Sequence, residues 1–187
     1  MKWANSLTLR SLALTTMWFV IALLVIAVVI SALYRNAAER GFRQLLQAEM
    51  FNVVNSVSIN EQGDLQGSPQ TGNLSYQQPQ TGWYWVVDPL YDASKETLRS
   101  PSLGATELPI KPESEVPYDG DFKRTYLVRD DHGNELAVIE TVVVIDENDR
   151  ATRVRVSGNL DAVDNDVRWF SERLYIALAL LELRAYC

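Results

Sequence analysis

Between Ser11 and Tyr34 the chain carries no charged residue, and this uncharged run of 24 residues limits the possible folds more than any other feature. At about 1.5 Å of rise per residue, a helix of that length covers a hydrocarbon core of roughly 30 Å. Its centre, Trp18 to Ile30, is almost wholly Val, Ile, Leu, Ala and Phe. A helix on a soluble domain would break such a run every few residues to face water. The apolar region of a cleaved signal peptide is shorter, about 7–15 residues, and no small-x-small cleavage pattern follows here before Arg35. The run therefore reads as an uncleaved membrane helix over residues 11–34, after a short cytoplasmic tail, residues 1–10, that bears Lys2 and Arg10.

A length of 187 residues leaves room for that segment and one modest folded domain. The charge is uneven. From Gln44 to Arg173 there are 11 Lys and Arg against 22 Asp and Glu, a net of −11, within a chain whose total is −7. Binding to a nucleic-acid backbone needs Lys and Arg to neutralise phosphates, so an acidic domain of this kind excludes it. The same charge suits cationic ligands, or solubility alone. Cys187 is the only cysteine, which rules out an intrachain disulfide.

The helical pattern continues past the uncharged run. Phe42, Leu46, Met50, Val53 and Val57 recur at steps of three and four, which places them on one face of a helix. That stripe suits packing on the domain's own sheet, and equally a helix–helix contact between two copies. Asn60 to Gln80 is rich in Gly, Gln, Asn, Ser and Pro and reads as loop, with a tight turn at Glu61-Gln62-Gly63-Asp64. Gly82 opens a strand, Trp83 to Asp88. Five prolines between Pro89 and Pro117 predict loop with short edge pieces as far as Tyr118.

The C-terminal half is patterned more clearly. Strands are predicted at Thr125–Arg129, Glu135–Ile145 and Thr152–Ser157, joined by turns at 130–134 and 146–149, which makes an antiparallel meander. Val154 and Val156 alternate with Arg153 and Arg155, so this strand is expected to have one buried face and one wet face. After Gly158, Asn159 or Asp161 caps a helix carrying Val163, Val167, Phe170 and Leu174 on one face. The helix runs into the eight uncharged residues Leu174–Leu181, too few to span, before Glu182 and Arg184. Residues 174–187 thus read as an incomplete second membrane helix, and residues 35–173 as an extracytoplasmic domain. Lys2 and Arg10 face Arg35, Arg40 and Arg43 across the first segment, so flanking charge opposes this orientation. The rule has little hold over long domains, and the helix–domain–helix order weighs more.

Taken in order, "AERGFRQLL" (Ala38–Leu46), "TGWYWVVD" (Thr81–Asp88), "LRSPSL" (Leu98–Leu103) and "VSGNLDAVDNDVRWF" (Val156–Phe170) resemble the N-terminal sensor region of bacterial two-component sensor histidine kinases. The group resembled is PhoQ-like, of alphaproteobacterial type, and the likeness covers nearly the whole chain. It implies an α+β architecture: a PAS-like extracytoplasmic sandwich whose antiparallel meander sheet is flanked by helices, tethered by a transmembrane helix. It further implies a place in the inner membrane with the domain in the periplasm, a homodimer, and a signal relayed to a response regulator through cytoplasmic domains beyond this segment. ATP would belong to that kinase core. The chain departs from the pattern at Glu182–Cys187, which do not read as membrane sequence.

The carboxylates are the one abundant polar feature. Glu113, Glu115, Asp119 and Asp121 cluster in the Pro-rich loop, and Asp146, Glu147 and Asp149 in a turn. Magnesium and calcium take oxygen ligands, so these seven are the candidate cation ligands, with either ion as a sensed ligand. None has calcium-loop spacing, and acidic turns are commonly only solvated. Trp83, Tyr84 and Trp85 suit a ligand pocket or, more simply, the core, with Trp83 and Trp85 on one face and Tyr84 on the other. His132 is the sole histidine, in a hairpin turn. One His and one terminal Cys furnish neither a zinc site nor a catalytic triad, and no phosphate-cradling Gly-rich loop is present. No catalytic residue or bound cofactor is expected in the chain itself. Two functions stay open: the input region of a histidine kinase, or a non-kinase membrane protein or other receptor whose outer domain binds a ligand or partner.

Overall fold

The computed structural model describes residues 7–146 and 149–185. Helix α1 spans Leu7–Ser56 and α2 spans Leu160–Ala185. Between them lie seven strands: β1 (Val57–Ile59), β2 (Leu65–Gly67), β3 (Trp85–Pro89), β4 (Leu98–Arg99), β5 (Lys123–Arg129), β6 (Glu135–Val144) and β7 (Ala151–Asn159). The fold is thus mixed helix and antiparallel sheet. It divides into two compact units, one of Met1–Arg40 with Asp164–Cys187 and one of Gly41–Val163.

The first unit is helical. The Tyr34 and Phe170 rings stack with centroids 4.2 Å apart, and the Ser171 hydroxyl reaches that of Ser31 at 3.5 Å. Most large apolar side chains from Leu14 to Leu33 are exposed. An unbroken apolar surface of that kind needs an apolar surrounding. By length and composition α1 can cross a membrane, and it is the one helix among the described residues that can.

The second unit is built on a five-stranded sheet in the order β4-β3-β7-β6-β5. The meander β5-β6-β7 is the one the turns predict, and β7 also pairs with β3, Trp85 opposite Val156. Phe42, Leu46, Met50, Val53 and Val57 are all buried, in one cluster with Trp85, Val87, Ile139, Val154 and Val156. Phe42, Leu46, Met50 and Val53 on α1 pack on the domain's own sheet, and Val57, expected on the same helix face, instead opens β1. Gly158 permits the approach, because a Cβ there would lie 2.8 Å from Phe42 Cζ and 2.9 Å from Leu46 Cδ2. The segment expected to be loop after Asn60 is partly ordered: β1 and β2 form a hairpin across the predicted turn, and Leu74–Tyr76 makes a 3-10 turn. Three-residue strands carry too little alternation to be seen in sequence.

The expectation of one wet face on β7 is corrected. The face away from α1 carries a second core, with Tyr84, Val86, Leu103, Leu108, Tyr126, Leu136 and Val138 all buried. The Pro-rich segment lies over it, fastened by serines where Pro101 has no N–H to give. Ser102 Oγ donates to Trp83 O at 2.6 Å, and Trp85 N donates to Ser100 Oγ at 3.2 Å. Arg155 on this face is therefore buried, not solvated.

Candidate functional site

Strand register sets the chemistry of the covered face. Arg124 on β5 lies opposite Glu140 on β6, Glu140 opposite Arg155 on β7, Arg155 opposite Val86 on β3, and Val86 opposite Arg99 on β4. One row across the sheet thus carries three guanidiniums and a carboxylate. Glu140 has no solvent exposure. Arg124 Nη2 donates to its Oε1 at 2.9 Å, Tyr126 Oη to its Oε2 at 2.7 Å, and Tyr118 Oη donates to Oε1 as well. Arg153 Nε stands 3.2 Å from Oε1. Arg124 is further held by the Val116 carbonyl at 3.0 Å and by the Tyr118 ring, 4.6 Å to its centroid.

Burial of Glu140 acts to raise its pKa, but hydrogen bonds from Tyr118, Tyr126 and Arg124, with the Arg124 charge, outweigh it and hold the carboxyl below its ordinary value. Burial first, and then the same carboxylate, push the Tyr126 and Tyr118 hydroxyls above theirs. Glu140 therefore stays ionised and its tyrosines neutral at physiological pH. It is fully partnered and has no group left to act on a substrate.

Arg155, in the same row, forms a separate pair. It donates from Nη2 to Asp88 Oδ2 and from Nη1 to the Leu108 carbonyl, each at 2.7 Å. Thr97 Oγ1 also donates to Asp88, at 3.2 Å. This pair borders a cavity of about 920 Å³ whose walls include Val86, Leu103, Leu108 and Ile110. A second, more apolar cavity of about 500 Å³ lies between the last turns of α1 and the sheet, lined by Met50, Phe51, Val54, Ile139 and Val143. Lys123 stands at that second cavity, 5.9 Å from the Phe51 ring centroid.

The residues singled out in sequence are placed as follows. Glu113, Glu115, Asp119 and Asp121 are exposed. Glu115 pairs with Lys111 at 3.6 Å, and Asp119 Oδ1 accepts the backbone N–H groups of Asp121 and Lys123, both at 2.9 Å, closing the turn into β5. Asp146 pairs with Arg150 across its own turn, Asp149 has a left-handed φ of 55°, and Glu147 lies outside the described residues. Among the described residues no three His, Cys, Asp or Glu side chains converge as a metal site would require.

Trp83, Tyr84 and Trp85 divide between the faces as expected. Trp85 lies in the core under α1 with Trp83 packed on it, and Tyr84 lies in the opposite core. Trp83 meets Phe42 and Tyr76 edge-on, with centroids 5.6 and 5.7 Å away. His132 is exposed in the β5–β6 turn, its backbone N–H donating to Asp130 Oδ1 at 3.0 Å.

Sequence reading missed Glu140, Arg124, Arg155 and Asp88. One signal was available: Glu140 interrupts the otherwise apolar or Thr-bearing run Leu136–Val144. A strand apolar on both faces is covered on both faces, and a carboxylate inside it must be paired. No protein-family model, no curated protein and no solved structure matches the chain.

Proposed function

We propose that the chain is the signal-sensing input region of a membrane-bound two-component histidine kinase, with the Gly41–Val163 unit as a PAS-like sensor domain outside the cytoplasm. One observation carries this reading. α1 runs without a break from an apolar stretch of membrane-crossing length into the face that packs on the sheet, and α2 departs from the central strand β7 with no intervening loop. A binding domain merely tethered to a membrane has no need for helices continuous with both its core and its central strand, whereas a relay of conformational change does. The five-stranded antiparallel sheet with a helix across one face and long loops across the other supports the PAS-like assignment.

Two measurements test the proposal. Alkaline phosphatase fused after Gly104 should be active, and fused after Asn5 inactive; the reverse would turn the topology over. Residues 1–178 should also be grafted, in several helical phases, onto the cytoplasmic part of a histidine kinase with a transcriptional reporter. Output that changes on Glu140→Gln supports a sensing role. Output that is the same for parent and variant in every phase overturns it.

A further inference from the structure

We infer that the cavity on the loop-covered face binds a small zwitterion, a solute carrying one carboxylate and one ammonium group, of which a free α-amino acid is the simplest form. This deepens the sensing reading by naming a ligand class, and rests on that reading for the consequence of binding.

The cavity is chemically mixed in a way that disfavours simple ions. Arg155 and Arg99 line it, together with Asp88, Glu107 and Asp131. Arg155 is buried and Asp88 half-buried, whereas Arg99, Glu107 and Asp131 are exposed to water. A lone anion would meet three carboxylates and a lone cation two guanidiniums. A solute with both charges satisfies both sets.

Arg155 supplies the carboxylate end. Its side chain is only 6% exposed, and its Nε is buried without a hydrogen-bond partner in the protein. A guanidinium offers five N–H donors in a planar fork that matches a carboxylate. Asp88 and Leu108 O account for one bond at each terminal nitrogen. Nε is itself out of reach of a ligand, as are those of Arg124 and Arg153, but each terminal nitrogen keeps a second N–H from which a bound carboxylate can accept. Asp88 holds the fork in place and stands next to the acceptor it would serve. Arg99 shares the row two strands away, with Val86 between them. At about 4.8 Å per strand, the Cα atoms of the two arginines lie roughly 10 Å apart.

The ammonium end faces Glu107 and Asp131, exposed carboxylates from two different segments, the covering loop and the β5–β6 turn. Neither belongs to the buried network, so both are available to an incoming cation. The cavity volume lies within the usual range for small-molecule sites, about 300–1,000 Å³, and leaves room for a side chain against Leu103 and Ile110.

The full chain in lipid nanodiscs should be melted with each proteinogenic amino acid at millimolar concentration. For any that raises the melting temperature, titration should be repeated with the N-acetyl and the carboxamide forms. At least one amino acid should raise the melting temperature with concentration, as a ligand bound only to the folded state must. Capping either end should weaken binding by about tenfold or more, the loss expected for one charge-assisted bond. Arg155→Gln would also break the buried pair with Asp88, so the deciding variants are Arg99→Gln and Glu107→Gln, both at exposed positions. Each should weaken binding by about the same factor and leave the unliganded melt unchanged. The inference is overturned if no amino acid shifts the melt, if capped forms bind as well as the parent, or if both variants bind unchanged. Binding is read without an output domain, so a failed chimera and a failed titration are separate results.

Discussion

Glu140 is the residue on which the covered face depends. Two tyrosine hydroxyls and a guanidinium donate to a carboxylate with no access to water. Removing one partner of a buried ion pair leaves the other uncompensated, so Glu140→Ala should destabilise the domain by about 3–5 kcal/mol in chemical denaturation. The carboxyl is held below its ordinary value in the folded state. An unfolded chain then binds more protons than the folded one as pH falls past the ordinary glutamate range, near 4.3. The contribution of Glu140 is therefore complete above that range and is lost as pH drops through the depressed native value. Glu140→Gln should flatten this acid limb of the stability curve while the limb persists in the parent. An unchanged acid limb would mean that other carboxylates dominate it.

Among the elements, α1 and β7 approach closely at Gly158. Gly158 has ordinary backbone angles, and only the nearness of Phe42 and Leu46 excludes a side chain there. Gly158→Ala should cost about 1–3 kcal/mol by overpacking. Leu46→Ala, at a residue 1% exposed, should cost about 2–5 kcal/mol by leaving a cavity. Combining the two should restore part of the loss, because the smaller side chain vacates the space the new methyl needs; strict additivity in a double-mutant cycle would refute the contact. This helix face was legible in sequence because Phe42, Leu46, Met50 and Val53 keep a helical period, and the Trp83-Tyr84-Trp85 alternation was legible for the matching reason in a strand. The opposite face was not. Arg153 and Arg155 next to valines have the look of a solvated edge, and nothing local tells that residues 100–122 fold back to cover them. The cavity was hidden for the same cause: Asp88, Arg99 and Arg155 meet only through pairing across 67 positions. The carboxylates of the acidic turns are conspicuous as a group in sequence, yet individually they close turns and pair with nearby lysine and arginine.

At the scale of the whole molecule, a net charge of −11 over Gln44–Arg173 sets a general self-repulsion. Added salt should raise the melting temperature by screening it. Magnesium chloride and sodium chloride at matched ionic strength should do so equally. A larger magnesium response, removed by Glu113→Gln with Glu115→Gln, would place a specific cation site in the Pro-rich loop. The strand order also governs how the chain comes together in time. β5, β6 and β7 are joined by short turns and can pair as soon as they exist, but Trp85 must wait for Val156, 71 residues later. At the usual synthesis rate of about 5–20 residues per second, that wait is roughly 4–14 s. Throughout it β3 can pair only with the two-residue strand β4, and its other edge, beside Trp85, stays open, so assembly of this domain is exposed to aggregation until its last strand has been made.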